Sequence, residues 1–227
     1  MKKKIIALIA ARKNSIRIHN KNMKKIGGKK LIWHSINAAL KSKYISEVIV
    51  STDCKKIKSY AESMGAKVPF LRPRYLSNSK AQMIDVVKHT YKKLSKSNDK
   101  IDHIMLLQPT SPLRDCNDID SAIKYFFKKK ADYLTSFSEA KPTSWYFQLD
   151  NKRNFNYFDV FKKNKPNKKN YLLNGAIYIY NKKLLENEKK VNLKCQAFIM
   201  SPEKSIDIDN QYEFKIADYL LKKNNFI

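Results

Sequence analysis

The 227-residue sequence is poor in acid, in cysteine and in long apolar runs. Asp and Glu number 20 against 47 Lys and Arg, a formal charge of +27 that points to anionic partners: nucleic acid, an anionic surface or small anionic substrates. The lysines, however, are scattered with Asn and Ile through every helical stretch, as an AT-rich coding bias would leave them. No helix-turn-helix, zinc-finger or aromatic RNA-binding signature is visible, so a nucleic-acid partner is not expected. Cys54, Cys116 and Cys195 are odd in number and far apart, which argues against a disulfide framework and a zinc site. His19, His34, His89 and His103 show no metal-ligand spacing. No apolar run approaches the ~20 residues of a membrane span, and the segment opening at Met1 is too short, and too polar beyond Ala11, for a signal peptide. The expectation is a cytoplasmic protein with no membrane segment.

What is present is regular alternation. Ile5 to Ala11 is an apolar run that reads as a buried strand and stops at Arg12, where a loop carrying Arg12, Lys13, Arg17 and Lys21 leads to a helix from Leu31 to Lys43. Glu47 to Ser51 is a second strand and Lys55 to Met64 a helix stopped by Gly65. Two prolines keep Val68 to Ser77 extended. Helix Ala81 to Leu94, strand Asp102 to Leu107, helix Asn117 to Lys128 and strand Asp132 to Phe137 follow. Alternation weakens between 138 and 172, where Trp145, Tyr146, Phe147, Phe155, Tyr157, Phe158 and Phe161 crowd two short strands. These aromatics suit packing against a second subunit, or a hairpin folded over its own core. Strand Asn174 to Tyr180, strand Ala197 to Met200 and a final helix Gln211 to Lys223, capped by Asn210 and Glu213, complete one α/β domain over 1–227 with an excursion at 138–172.

Three stretches carry chemistry. In an open α/β sheet ligands sit beyond the carboxyl ends of the strands, so the cationic loop after the first strand suits a polyphosphate, although a solvated basic turn has the same composition. Gln108-Pro-Thr-Ser-Pro-Leu-Arg114 ends a buried strand with an amide held by the adjoining proline-bounded loop, available to a polar substrate or satisfied by backbone. Asp207 and Asp209, one residue apart, point the same way on extended backbone and suit Mg²⁺, while acids ahead of a helix equally favour its dipole.

The loop A-R-K-N-S with K-N and G-G-K-K-L-I resembles the signature of the acylneuraminate cytidylyltransferase (CMP-sialic acid synthetase) family. V-S-T-D (Val50 to Asp53), P-F-L-R-P (Pro69 to Pro73), L-Q-P-T-S-P-L-R, N-G-A-I-Y (Asn174 to Tyr178) and S-I-D-I-D (Ser205 to Asp209) stand in the family's order. The resemblance implies a three-layer α/β/α Rossmann-like nucleotide-diphospho-sugar transferase fold and a homodimer whose excursion reaches the partner's site. It implies an enzyme that joins the CMP of CTP to the anomeric hydroxyl of a nine-carbon 3-deoxy-2-keto sugar acid with release of pyrophosphate. By matching position, Ala11, Arg12, Lys21, Asn22, Arg72 and Ala81 would form the nucleotide site. Gln108, Asn174 and Tyr178 would face the sugar, Asp207 and Asp209 would hold Mg²⁺, and Arg12, Lys21 and Asp209 would carry catalysis.

The chain departs from the family pattern at Ile16 and His19, where a lysine and a proline are usual, with Arg17 or Lys13 left to supply the charge. It departs again at Lys80 and Met83, in place of small hydroxyl residues. Ser144 and Tyr171-Leu172-Leu173 replace the basic residues that meet the sugar carboxylate, leaving Lys141, Lys168 or Lys169 to do so. Legionaminic or pseudaminic acid is therefore as natural a substrate as N-acetylneuraminic acid. A basic nucleic-acid-binding protein and an inactive homologue are the competing readings.

Overall fold

The computed structural model describes residues 3–15, 17–96, 100–141, 169–187 and 192–223. Its frame is a six-stranded sheet in the order β4-β1-β5-β7-β6-β8. The strands are β1 (Ile5–Ala10), β4 (Glu47–Ser51), β5 (His103–Leu107), β6 (Tyr133–Ala140), β7 (Asn170–Asn181) and β8 (Cys195–Met200), and β2 (Lys25–Ile26) pairs with β3 (Lys29–Lys30) in a small hairpin apart from the sheet. β1 is parallel to both β4 and β5, and β6 is parallel to β8, while β7 runs antiparallel to β5 and β6. The apolar runs of β1 and β5 fit this frame, because central strands are covered on both faces.

Helices α1 (Leu31–Lys41), α2 (Lys55–Ser63) and α4 (Cys116–Lys128) pack Ile32, Ile36, Ile57, Ala61, Ile119 and Phe126 on one face of the sheet. Helices α3 (Met83–Ser95) and α5 (Lys182–Glu186) pack Val87, Tyr91, Leu94 and Leu185 on the other. The three layers follow from apolar strands with an apolar stripe on each helix. A third cluster joins α6 (Gln211–Lys223) to the cationic loop, with Phe214, Ala217 and Leu221 against Ile18, Ile26 and Leu113.

Several boundaries differ from the sequence reading. Val68 to Ser77 is not extended throughout: Arg74–Leu76 form a 3-10 turn after a bridge between Leu71 and Thr52. α3 begins at Met83 rather than Ala81, because the Asn78 side chain accepts from the Lys80 and Ala81 N–H groups and holds that stretch as a turn. Residues 138–140 and 170–172 prolong β6 and β7 as an antiparallel ladder, with Ser138 opposite Leu172 and Ala140 opposite Asn170. The excursion's aromatics, with Ser144 and Lys168, lie outside the described residues. Between Thr135 and Phe137 the ladder slips, so that these two residues, either side of Ser136, face Tyr178 and Leu173. β7 bulges there at Gly175, whose φ of +71° suits a residue without a Cβ.

Candidate active site

A cleft of about 390 Å³ opens at the carboxyl ends of β1 and β5, and Arg12, Lys21, Asn22, Arg72, Ala81, Gln108 and Asp209 line it together. The loop that makes one wall is tied at both ends. Asn22 is buried and donates to the Arg12 carbonyl at 3.0 Å, and Arg12 donates to the Asn78 carbonyl at 2.8 Å, joining the loop to the turn before α3. Ile18 anchors the middle in the apolar cluster under α6. Arg17 also lines the cleft, whereas Lys13 faces a separate hollow with Asp53 and Cys54, so Arg17 is the better placed of the two substitute cations. Ile16 lies outside the described residues, His19 and Lys80 are exposed, and Met83 lines the cleft.

Two cations here are held at a cost. Arg72 is 5% exposed, and its Nε and Nη2 find no hydrogen-bond partner among the described residues. Burial pulls its pKa down to about 10, with Asp53 opposing and Arg12 adding to the fall. Lys21 is also lowered by burial, against the pull of Asp209 and Asp207, and its ammonium donates to the Ile208 carbonyl. Cations desolvated without a full set of acceptors are poised for an anion.

The acid pair splits into two environments. Asp209 is exposed and pairs with Arg17 at 2.6 Å. Asp207 is half-buried, its Oδ1 has no partner among the described residues, and burial and the neighbouring Asp209 push its pKa up. An orphaned carboxylate oxygen beside a second carboxylate is a fitting donor set for an oxygen-seeking divalent cation.

Gln108 ends β5 as the sequence predicts. Its carbonyl accepts from the Ser35 hydroxyl at 3.2 Å and the Ser111 N–H at 3.3 Å, and its Oε1 lies 3.5 Å from the Thr110 hydroxyl. A Cβ built on Gly175 would stand 3.2 Å from Asp207 Oδ2 and 3.9 Å from Gln108 Oε1, so both the Gln108 amide and the Asp207 carboxylate lie against the β7 bulge. Tyr178 projects from β7 and feels Asp207; its pKa is raised to about 12 by burial, Tyr133 and Asp207.

Three predicted residues sit differently from the rest. Ala11 is fully buried with its N–H donated to the Ser51 carbonyl, and Ala10 stands on the cleft wall in its place. Ala81 lines the cleft, but its N–H is taken by Asn78. Asn174 is 3% exposed and its amide is engaged by Ser136, Ser205 and the Ala176 N–H, so it secures the bulge rather than facing the cleft. The sequence reading missed Ser35 and Asn78, for which no pattern signals a role, and gave Thr110 none of its own within the Gln108–Arg114 stretch: each acts through one hydroxyl or amide placed by tertiary structure. A larger hollow of about 750 Å³ lies beyond Asn78 and Ala81, lined by Tyr75, Lys88 and His89, and contains neither the acid pair nor Gln108.

The family model described as cytidylyltransferase matches residues 6–225. This chain belongs to the cytidylyltransferase family. It is 36% identical over 230 residues to an N-acylneuraminate cytidylyltransferase of Escherichia coli O18:K1:H7, covering 99% of this chain and 54% of that protein, so it spans about half the length of that relative. It is 33% identical to a CMP-N,N'-diacetyllegionaminic acid synthase of Legionella pneumophila, covering 97% of each, and 30% identical to a pseudaminic acid cytidylyltransferase of Campylobacter jejuni, covering 98% of each. A solved CMP:2-keto-3-deoxy-manno-octonic acid synthetase complexed with CTP superposes with a TM-score of 0.73 at 16% identity, covering 96% of this chain and 98% of that one. A 4-diphosphocytidyl-2C-methyl-D-erythritol synthase from Anaerococcus prevotii gives 0.63 at 16%, covering 98% of this chain and all of that one, and both share the cytidylyltransferase fold.

Proposed function

We propose that this cytidylyltransferase transfers CMP from CTP to the anomeric hydroxyl of a nine-carbon 3-deoxy-2-keto sugar acid and releases pyrophosphate. The observation that carries the reading is the single cleft in which Arg12, Lys21, Asn22 and Arg72 meet Gln108 and Asp209. Relatives named for sialic, legionaminic and pseudaminic acids stand at 36%, 33% and 30% identity, which supports the sugar-acid class and leaves its members open.

The reaction is an in-line displacement. The sugar oxygen forms a bond to the α-phosphorus, the bond from that phosphorus to the bridging oxygen of the β-phosphate breaks with pyrophosphate taking the electron pair, and the hydroxyl proton passes to solvent water. Catalysis of this kind is positioning plus neutralisation of charge on the leaving group. Arg12, Arg17 and Lys21 bind the triphosphate. Arg72 and Asn22 line the nucleotide site, and the phosphates of a nucleotide in the same cleft offset the desolvation of Arg72. Gln108 and Tyr178 orient the sugar, with Asn174 holding the bulge behind them. Asp207 and Asp209 would hold a Mg²⁺, which would supply positive charge to the phosphates and ease loss of the hydroxyl proton.

Exposed Tyr171, Leu172 and Leu173 lead into the bulge where the sialic-acid enzymes of the group carry basic residues, and this supports a legionaminic- or pseudaminic-type acid as the second reading. The same exposed strip supports a homodimer. No helix among the described residues is long and apolar enough to cross a membrane, and the reading places the enzyme in the cytoplasm, where CTP is made. The test is pyrophosphate release from CTP and Mg²⁺ with N-acetylneuraminic, legionaminic and pseudaminic acids offered separately, with ATP, GTP and UTP as controls. Release with CTP and one of these acids is expected. Folded protein that releases none with any of them overturns the reading.

A further inference from the structure

Asp207 and Asp209 stand on residues 206–209, a stretch that belongs to no helix or strand. Its main chain is tied by the Ile208 N–H to the Thr110 carbonyl at 2.8 Å, by the Ile208 carbonyl to Lys21, and by the Asp209 N–H to the Glu213 carboxylate at 2.6 Å. A pair of ligands on irregular backbone is placed only as well as its supports allow. Just upstream, the Lys204 ammonium donates to Asp115 Oδ2 at 2.7 Å and to both oxygens of Asp118 at 3.1 and 3.0 Å. An ammonium has three hydrogens, and these acceptors use its whole capacity. The exposed pairs Lys58–Glu62 and Lys222–Asp218 are single contacts within one helix turn.

We propose that Lys204 is a positioning residue that fixes the Asp207 and Asp209 carboxylates relative to Gln108. Its anchor is rigid, because Asp115 caps α4 in a reciprocal capping box with Asp118. Asp115 also directly follows Arg114, which closes the loop that begins at Gln108. Arg114 is 1% exposed and donates to the Ser35 hydroxyl at 2.7 Å, and that hydroxyl donates to the Gln108 carbonyl. One set of ties therefore runs from the base of the metal-side segment through Lys204 and Asp115 to Arg114, Ser35 and Gln108. Asn174, donating to Ser205 at 2.9 Å, adds a second tie from the β7 bulge to the same segment. Cutting the Lys204 tie loosens the acid pair and leaves Arg12, held by the Asn78 carbonyl, and Arg72 in place, whereas Lys21 and Arg17 keep their contacts with the loosened segment.

The inference rests on the assignment of Asp207 and Asp209 to the metal, and the experiment separates the two. Mn²⁺ affinity in the presence of CTP is measured by electron paramagnetic resonance in wild type, Lys204→Met, Asp118→Asn and the control Lys222→Met, alongside the apparent KM for Mg²⁺, the KM for CTP and the melting temperature. Expected for Lys204→Met is a loss of about tenfold or more in Mn²⁺ affinity and a matching rise in the Mg²⁺ KM, with kcat at saturating metal and the KM for CTP changed far less. A smaller shift in the same direction is expected for Asp118→Asn, and none for Lys222→Met. A lowered melting temperature with unchanged Mn²⁺ affinity makes Lys204 a brace only and overturns the proposal; if Lys204→Met fails to fold, unchanged affinity in folded Asp118→Asn does the same. Wild type that binds Mn²⁺ with CTP yet turns over no sugar acid sinks the substrate reading alone, and the Mn²⁺ comparison still decides on Lys204. Wild type that binds no Mn²⁺ overturns both the metal assignment and the role of Lys204.

Discussion

Two acidic pairs precede two helices in this protein and have opposite fates. Asp115 and Asp118, at the start of α4, are closed: each caps the other's backbone, Lys204 bridges both, and burial, which opposes ionisation of Asp115, is outweighed so that its carboxyl stays below its usual range. Asp207 and Asp209, before α6, cap nothing: Asp209 pairs with the exposed Arg17, and Asp207 Oδ1 has no hydrogen-bond partner among the described residues. That helix is capped by Asn210, which accepts from Tyr212 and Glu213 N–H groups, and by Glu213, which accepts from Asp209 and Asn210. The helix-dipole explanation of an acid pair thus holds at α4, and at α6 other residues supply the cap. Carboxylates freed from capping, one with a bare oxygen, are available to a ligand.

The sharpest way to break this comparison is to neutralise one member of each pair. Asp207→Asn is expected to lower turnover about a thousandfold, the scale of several kcal/mol of lost charge stabilisation, while the fold becomes more stable at neutral pH. The sign follows from linkage: a carboxyl whose folded pKa is raised opposes folding when ionised, and that penalty fades as pH falls through the raised value. Denaturant unfolding should accordingly show the Asn variant ahead at pH 7 and level with wild type in acid. Asp115→Asn is expected to do the reverse, losing about 1–2 kcal/mol of stability through its weakened cap and ion pairs while keeping turnover at saturating metal. Similar behaviour of the two variants would end the distinction.

Arg72 and Arg114 extend the contrast to cations, since burial brings both to a pKa of about 10. Arg114 faces the wall and serves Ser35; Arg72 faces the cleft. Arg72→Met is expected to raise the KM for CTP about a hundredfold and to leave stability unchanged or improve it by about 1 kcal/mol, because an uncompensated buried charge is removed. A melting temperature several degrees lower with unchanged CTP binding would place Arg72 among the structural residues.

Acid titration tests a third buried group that belongs to neither site. Burial pushes the His103 imidazole down to about 4 against the pull of Asp102, and its ring is packed edge-on to Phe126 and Phe127. The unfolded chain binds this proton more tightly than the folded one between about pH 6.5 and pH 4, so stability is lost as pH falls through that window, by on the order of 2 kcal/mol. His103→Leu should flatten that part of the profile in urea unfolding, and an unchanged slope would reject the assignment.

Legibility in the sequence followed the range of the interactions. Strands and helices whose periodicity is local, such as β5 and α4, and caps such as Asn210 with Glu213, were readable because neighbours in sequence decide them. The meeting of the loop with Arg72, Gln108 and Asp209 in one cleft was implied by the family resemblance; sheet topology accounts for the loop and Gln108, which follow the ends of β1 and β5, and not for Arg72 or Asp209, which stand on no strand. The bulge at Gly175 was not readable, because slippage between β6 and β7 is a property of two strands forty residues apart. For the same reason Asn174 read as a ligand when its amide is spent inside the fold, and Ser35, Thr110 and Lys204 carried no signal of their own: their roles come from partners 73 to 98 residues away or from one well-placed hydroxyl.

The smallest expected effect concerns the contact where the acid pair before α6 meets the cationic loop. Arg17 and Asp209 form a close ion pair with side chains 64% and 55% exposed, and such pairs contribute about 0–1 kcal/mol. Arg17→Gln should therefore leave the melting temperature within a degree or two of wild type. If Arg17 supplies the triphosphate charge missing at Ile16, the KM for CTP should nonetheless rise several-fold at low ionic strength, and the difference should shrink as salt screens it. A CTP affinity indifferent to both the substitution and salt would show that Arg17 only shields Asp209, and that the loop binds nucleotide through Arg12 and Lys21 alone.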